Sequence, residues 1–321
     1  MTILSRLLWA LAPACFASAV AAQGYPVKPV RVIVPFPPGA GVDITTRLYT
    51  VRLSAALGQQ VIADNRPGAA GNIGAEVAAR AAPDGYTLLA APASLAISQT
   101  LYKKLPFDLV RDFQPVAMLA SVPFVLVAHP SLPAKDVKGL IALARSRPGQ
   151  LNYASTGNGS SPHLTAEMFR MQAKLDVVHV PYKGTPLAVT DLLTGQVSFM
   201  FANALSVLPQ VNAGRLRALG ITSAKRNAAT PQLPTLAESG LPGFESGTWF
   251  ALLAPAGAPR EAVTRLAAEV AKLTQHPDVR EKLAAQGAEA VTMTPEQTAA
   301  HIKSEIAKWG KVVQASGARI D

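Results

Sequence analysis

Two loops carry the residues whose types and spacing bear on chemistry. The first lies within Arg31-Val-Ile-Val-Pro-Phe-Pro-Pro-Gly-Ala-Gly-Val-Asp-Ile-Thr-Thr-Arg47. There Phe36, Pro37, Pro38, Gly39, Ala40 and Gly41 leave an apolar β-branched run and open an amphipathic helix, with Asp43 read as its N-cap. The prolines stiffen the loop, and the glycines let a ligand approach bare backbone. N–H groups at a helix start suit an anion, so this loop is a place to hold a small carboxylate. Asp43 would repel such an anion directly. Its two roles are then capping, worth about 1 kcal/mol, and orienting waters that touch the ligand.

The second loop is Ser155, Thr156, Gly157, Asn158, Gly159, Ser160 and Ser161, with His163 just beyond. It follows a strand and precedes a helix, with Ser161 read as the cap and Pro162 in the first turn. Its N–H groups and hydroxyls either clamp a ligand against the first loop or simply cap a strand–helix turn. Ala93 and Ser94 lie just past another strand, in reach of the same cleft.

Other chemistry is poorly served. A nucleophile elbow needs Gly-x-Ser-x-Gly, which is absent, and the closeness of Ser161 and His163 in sequence sets no nucleophile–base geometry. The remaining histidines, His129, His179, His276 and His301, lack His-Glu-x-x-His spacing, so no metal site is expected. Gly68-Ala-Ala-Gly-Asn-Ile-Gly74 is Gly-x-x-Gly-x-x-Gly with no Walker lysine, and reads as a turn and a close-packed helix start. No cofactor is called for.

These loops need a scaffold, and the pattern supplies one. Strands are expected at 30–34, 86–90, 124–128, 151–155, 177–180, 197–201 and 216–222. Helices with a period near 3.6 lie between them. One follows Asp43 and stops at Gly58, one starts at Thr185-Pro186, and one carries the core stripe Val263, Leu266, Ala267, Val270 and Leu273. The alternation predicts an α/β fold of mostly parallel sheets flanked by helices, with ligands beyond the carboxyl ends of strands.

Residues 1–22 read as a cleaved secretory signal: Arg6, an apolar run from Leu7 to Val20, then Val20-Ala21-Ala22. The run is too short to span a bilayer. Pro13 and Ala14 make a poor lipidation box before Cys15, and cleavage removes this sole cysteine. An exported chain without disulfides is compatible with a periplasm. Removing 22 of 321 residues leaves 299, enough for two domains, and 49% hydrophobic residues allow large cores. The formal charge of +10 favours anionic partners. No basic run interleaves with aromatics, so nucleic acid is not expected.

Ordered motifs resemble the Bug family, the periplasmic receptors of tripartite tricarboxylate transporters. They are Tyr25-Pro-Val-Lys-Pro-Val-Arg-Val-Ile-Val-Pro-Phe-Pro-Pro-Gly39 with Asp43, Asn65-Arg-Pro-Gly-Ala-Ala-Gly-Asn-Ile-Gly74, Pro83-Asp-Gly-Tyr-Thr-Leu88, Asn152-Tyr-Ala-Ser155, Val180-Pro-Tyr-Lys-Gly184 and Pro234-Thr-Leu-Ala-Glu-Ser-Gly240. The resemblance implies a two-lobed, type II-like periplasmic binding protein with its ligand cleft between the lobes. Lobe one is 23–123 plus 248–321 and lobe two is 124–247, with crossings near 122–125 and 248–252. It implies a monomeric receptor that hands an organic carboxylate to membrane transporter subunits; the alternative readings are a ligand-sensing component that passes a signal from the same cleft to a kinase ectodomain, and a periplasmic hydrolase. It places the ligand between residues 36–43 and 155–161 with His163 nearby, and adds Ala93, Ser94 and Asn203. Two departures stand out: Ala40 replaces a second consecutive glycine, and Ala202-Asn203 stands where many relatives carry an aspartate. The second departure disfavours an amino-acid ligand.

Overall fold

A computed structural model describes residues 24–316. The expected export signal, residues 1–22 with Cys15, lies outside them. In chain order the elements are β1 (Val30–Val34), α1 (Gly41–Leu57), β2 (Val61–Asn65), α2 (Asn72–Ala79), β3 (Thr87–Pro92), α3 (Ser94–Leu101), β4 (Phe113–Ala128), α4 (Val137–Ser146), β5 (Asn152–Ser155) and α5 (Ser161–Ala173). Then follow β6 (Val178–Pro181), α6 (Thr185–Leu193), β7 (Phe199–Asn203), α7 (Ala204–Asn212), β8 (Arg217–Ile221), β9 (Gly247–Pro255), α8 (Arg260–Gln275), α9 (Pro277–Ala284), β10 (Glu289–Ala290) and α10 (Pro295–Ser316).

The strands run in the order β2-β1-β3-β9-β4-β7-β5-β6, with β8 and β10 also paired to β4. At one end β1 pairs in parallel with β2 and β3; at the other β5 pairs in parallel with β6 and β7. The strands between them are antiparallel, since β9 returns along β4 and β4 opposes β7 and β8. The sheet is therefore mixed rather than mostly parallel. The parallel expectation holds for the outer trios, each built from strand–helix–strand units, and fails where one strand leads out and another leads back.

Side-chain alternation shows why both faces carry helices. Val30, Val32 and Val34 enter one apolar cluster while Ile33 enters another; Leu88 and Ala90 part from Leu89 and Ala91 in the same way. In β4, Val125 and Val127 share the first cluster, while Phe124, Leu126 and Ala128 join a third with Phe199 and Phe201 of β7. Successive residues face opposite sides of a strand, so continuous apolar runs mean burial on both sides. A fourth cluster ties α3, α5 and α10 through Ile97, Leu101, Leu164, Trp309 and Val313.

The expected strand at 124–128 is the last third of β4, a 16-residue strand. Pro115 and Pro123 interrupt its apolar pattern, and register shifts against β9 absorb the irregularity. At Pro123 its pairing with β9 ends, and at Phe124 its pairing with β7 begins. β2, β9 and the two-residue β10 have no counterpart among the expected strands. β2 is a short edge with one buried residue, and the apolar run of β9 reads equally as helix. Gly58 does end α1, and α6 does start at Thr185.

Candidate functional site

The first loop turns between β1 and α1, and its shape is fixed from behind. α1 begins at Gly41 with Ala40 as N-cap and no side-chain cap, so Asp43 is not the cap that the sequence suggested. It is the third helical residue and reaches back instead. Asp43 Oδ2 accepts the Gly39 N–H at 2.9 Å, and Oδ1 accepts from Arg47 Nε and Asn65 Nδ2, each at 2.9 Å. Asn65 also donates to Phe36 O at 2.9 Å. The carboxylate is thus committed to the loop backbone and paired with Arg47. Gly41, Val42 and Asp43 are the first three helical residues, whose N–H groups the helix ladder does not use.

The second loop is braced likewise. Ser160, not Ser161, caps α5: its Oγ accepts the His163 N–H at 3.4 Å and donates to Gly157 O at 2.7 Å. The helix therefore begins at Ser161, one residue earlier than a cap at Ser161 would have placed its start. Gly159 N–H donates to His163 Nδ1 at 3.1 Å, and Ser155 Oγ lies 2.6 Å from His179 Nε2. Tyr153, His179 and His163 stack, with ring centroids 4.9 and 4.1 Å apart. Burial holds His163 below the usual imidazole range; burial and then repulsion from His163 bring His179 down to about 4. Glu167 stays low although burial pushes it up, because Arg170 and Tyr153 hydrogen-bond to it.

Both loops border a narrow inner cavity of about 50 Å³. Five helix N-termini converge on it: Ala40, Gly41 and Val42 of α1, Ser94 of α3, Ser160 and Ser161 of α5, Thr185 of α6 and Asn203 of α7. Each carries roughly half a positive charge. Asn203 caps α7 through Oδ1, which accepts Leu205 N–H at 3.1 Å. Phe36, Phe124, Met200 and Phe250 supply apolar walls, and no charged side chain lines the cavity among the described residues. Such a site suits an anion held by backbone and hydroxyl donors, with a carbon skeleton against the walls.

Of the residues singled out in sequence, Phe36, Ala40, Gly41, Ser94, Thr156, Ser160, Ser161 and Asn203 line this cavity. Pro37, Gly157 and Asn158 line a second, larger cavity that Phe36 and Thr156 also border. Pro38, Gly39, Asp43, Ala93, Ser155, Gly159 and His163 line neither. Several of these brace the loops instead. Sequence reasoning missed Pro92, Phe124, Pro162, Thr185, Met200, Thr248 and Phe250 as lining residues, while Val42 falls inside the expected 36–43 stretch. Thr185 was legible as a helix start, the same signal that marked the two loops. Among the described residues no group of three or more His, Cys, Asp or Glu is placed to share a metal, and no helix is long and apolar enough to cross a membrane.

The two sides of the cavity touch. A Cβ on Gly41 would lie 2.4 Å from Asn203 Nδ2, and one on Gly184 would lie 2.7 Å from Pro37 Cγ. Only glycine permits these approaches. Ser206 Oγ donates to Gly39 O across the same seam at 3.4 Å.

The sequence model of the tripartite tricarboxylate transporter family receptor matches residues 45–318. Protein BugT of Bordetella pertussis is 40% identical over 312 residues, covering 97% of this chain and 96% of that protein. A solved R. palustris structure with adipate is 37% identical with a TM-score of 0.90, covering 92% of this chain and 100% of that one. MatC from Rhodopseudomonas palustris with bound malate is 34% identical with a TM-score of 0.85, covering 90% and 100%. The periplasmic binding protein BugD is 31% identical with a TM-score of 0.88, covering 92% of this chain and 99% of that one.

Proposed function

This chain belongs to the tripartite tricarboxylate transporter receptor family, and we propose that it captures a small organic carboxylate in the inner cavity and delivers it to the membrane subunits of such a transporter. The convergence of five helix N-termini on a cavity with no charged side chain carries this reading. A carboxylate there gains aligned donors, and micromolar affinity needs only about 8 kcal/mol. That adipate and malate occupy two relatives supports the ligand class.

The lobes divide at 123/124 and 247/248, where β4 exchanges partners and β9 begins. Residues 36–43 then belong to one lobe and residues 155–161 to the other. A ligand that touches both favours the closed form, because it gains contacts that the open form lacks. No carboxylate stands in the cavity to meet an ammonium group, so plain mono- and dicarboxylates are preferred over amino acids. The protein works as a periplasmic monomer after signal cleavage, and the ligand leaves unchanged.

A thermal-shift screen of mono-, di- and tricarboxylates and amino acids, followed by titration and small-angle scattering, tests this. A carboxylate should raise the melting temperature and shrink the radius of gyration without being consumed. Preference for aspartate or glutamate, unchanged compactness, or turnover of the bound acid each refutes the corresponding part. Co-purification with transporter subunits, as against a sensor ectodomain, tests delivery.

A further inference from the structure

Two histidines stand behind the second loop and line neither of the two cavities: His163 in the first turn of α5 and His179 in β6. Their rings stack 4.1 Å apart at 14°. Each ring holds one part of the loop. Ser155 Oγ lies 2.6 Å from His179 Nε2 and accepts the Gly157 N–H at 3.2 Å, while Gly159 N–H donates to His163 Nδ1 at 3.1 Å. Thr156 lies between these anchors and Ser160 just beyond them, and both line the inner cavity.

A proton acts differently on the two anchors. A hydroxyl can donate or accept, so Ser155 keeps a partner in His179 whether or not Nε2 is protonated. A backbone N–H can only donate. Gly159 therefore needs a bare Nδ1, and protonation there sets two N–H groups against each other. The stack adds a second constraint: like charges in contact repel, so the pair does not carry two protons at once. Few charges face the rings. Glu167 of α5 favours a cation on either ring, and Arg170 of the same helix opposes one on His163. Glu167 is itself held by Arg170 at 2.8 Å and by the Tyr153 hydroxyl at 2.6 Å. Tyr153 of β5 keeps its proton, because burial and then Glu167 push its pKa up. Burial outweighs the pull of Glu167 on His163 and holds its pKa low. The loop is thus intact at neutral pH.

We propose that neutral His163 is the positioning group of the second loop, and that its protonation frees Gly159 and spoils the inner cavity, so that acid releases the bound carboxylate. The effect on ligand rests on the carboxylate reading of that cavity. A cation near an anion site ordinarily tightens an acid as pH falls. Here affinity falls instead, because His163 reaches the ligand only through the loop.

Two measurements on the full mature protein test it. The amide resonance of Gly159, in ligand-free protein carrying isotope-labelled glycine, reads the hold on the loop. Calorimetric titration with adipate and with malate, from neutral pH down to about pH 4.5, reads the coupling. In wild type the Gly159 resonance should shift with one proton as pH falls. His163→Asn places an amide oxygen near the position of Nδ1 and does not titrate, so its Gly159 resonance should stay fixed. Protonation of the acid weakens binding to both proteins alike, so the ratio of affinities is compared. The ratio of His163→Asn to wild type should rise at least about fivefold across the range. His163→Phe keeps a ring in the stack but accepts nothing, and should bind about tenfold more weakly than wild type at neutral pH. The proposal is overturned by a Gly159 resonance that does not titrate in wild type, by an affinity ratio that stays level or falls, or by wild-type affinity in His163→Phe. If neither acid binds at neutral pH while Gly159 titrates, the coupling falls with the carboxylate reading, and only the hold of His163 on the loop remains.

Discussion

Gly41→Ala separates closure from folding. Gly41 opens α1 in ordinary helical geometry, so alanine is compatible with its backbone and improves helix propensity by up to about 1 kcal/mol. Across the cleft the added methyl would meet Asn203 at 2.4 Å from Nδ2, 2.6 Å from Cγ and 2.7 Å from Oδ1. Ordinary contacts need about 3.5 Å or more, so the amide must withdraw by about 1 Å. Its Oδ1 caps α7 through Leu205 N–H, and losing a cap costs about 1 kcal/mol. Overpacking adds about 1–3 kcal/mol. The closed form should therefore lose about 2–4 kcal/mol, or roughly 30- to 700-fold in affinity. In the open form proposed above the loops stand apart, so the ligand-free variant should keep or slightly raise its melting temperature. Calorimetric titration with the best acid from the screen reads the first effect, and a thermal melt without ligand reads the second. Adding Asn203→Ala removes the obstruction, so the double variant should bind as Asn203→Ala alone does, a coupling that a double-mutant cycle reports. Wild-type affinity in Gly41→Ala, or no coupling to Asn203, refutes the reasoning. So does a ligand-free melt that falls as far as the affinity.

Three other perturbations probe the braces around the site. Asp43→Ala removes the acceptor for Gly39 N–H, Arg47 and Asn65; it should cost about 2 kcal/mol in chemical denaturation and weaken ligand binding by loosening the first loop, whereas Asp43→Asn should lose less. His179 stays neutral when folded until about pH 4, but its unfolded imidazole takes a proton near 6.5. The unfolded state therefore binds more protons between these values, so this contribution is complete above 6.5 and is lost as pH falls toward 4. Melting temperatures of wild type and His179→Gln should converge across that window, and parallel curves would refute it. Glu305 accepts from Trp249 Nε1 at 3.1 Å and Trp309 Nε1 at 2.9 Å, joining β9 to α10. Glu305→Leu should cost about 3 kcal/mol and shift tryptophan emission, because two buried indole donors lose their acceptor.

What a few neighbouring residues can decide is written locally in the chain. The β-branched run at 30–34 makes β1 with the expected bounds, Gly58 stops α1, and Thr185-Pro186 starts α6. The stiff, glycine-bearing turns at 36–41 and 155–161 are legible as helix starts, because proline, glycine and serine act on the backbone locally. Tertiary structure decided the rest. Asp43 lost its expected capping role to partners 4 and 22 residues away, Arg47 and Asn65. β4 runs through two prolines because β9, more than a hundred residues later, pairs along it. The cavity exists only because five helix starts, from Ala40 to Asn203, meet at one point, and its walls at Phe124, Met200 and Phe250 come from strands packed between them. Local propensity writes each helix start into a few letters, whereas convergence depends on pairings between distant segments that a single sequence does not spell out.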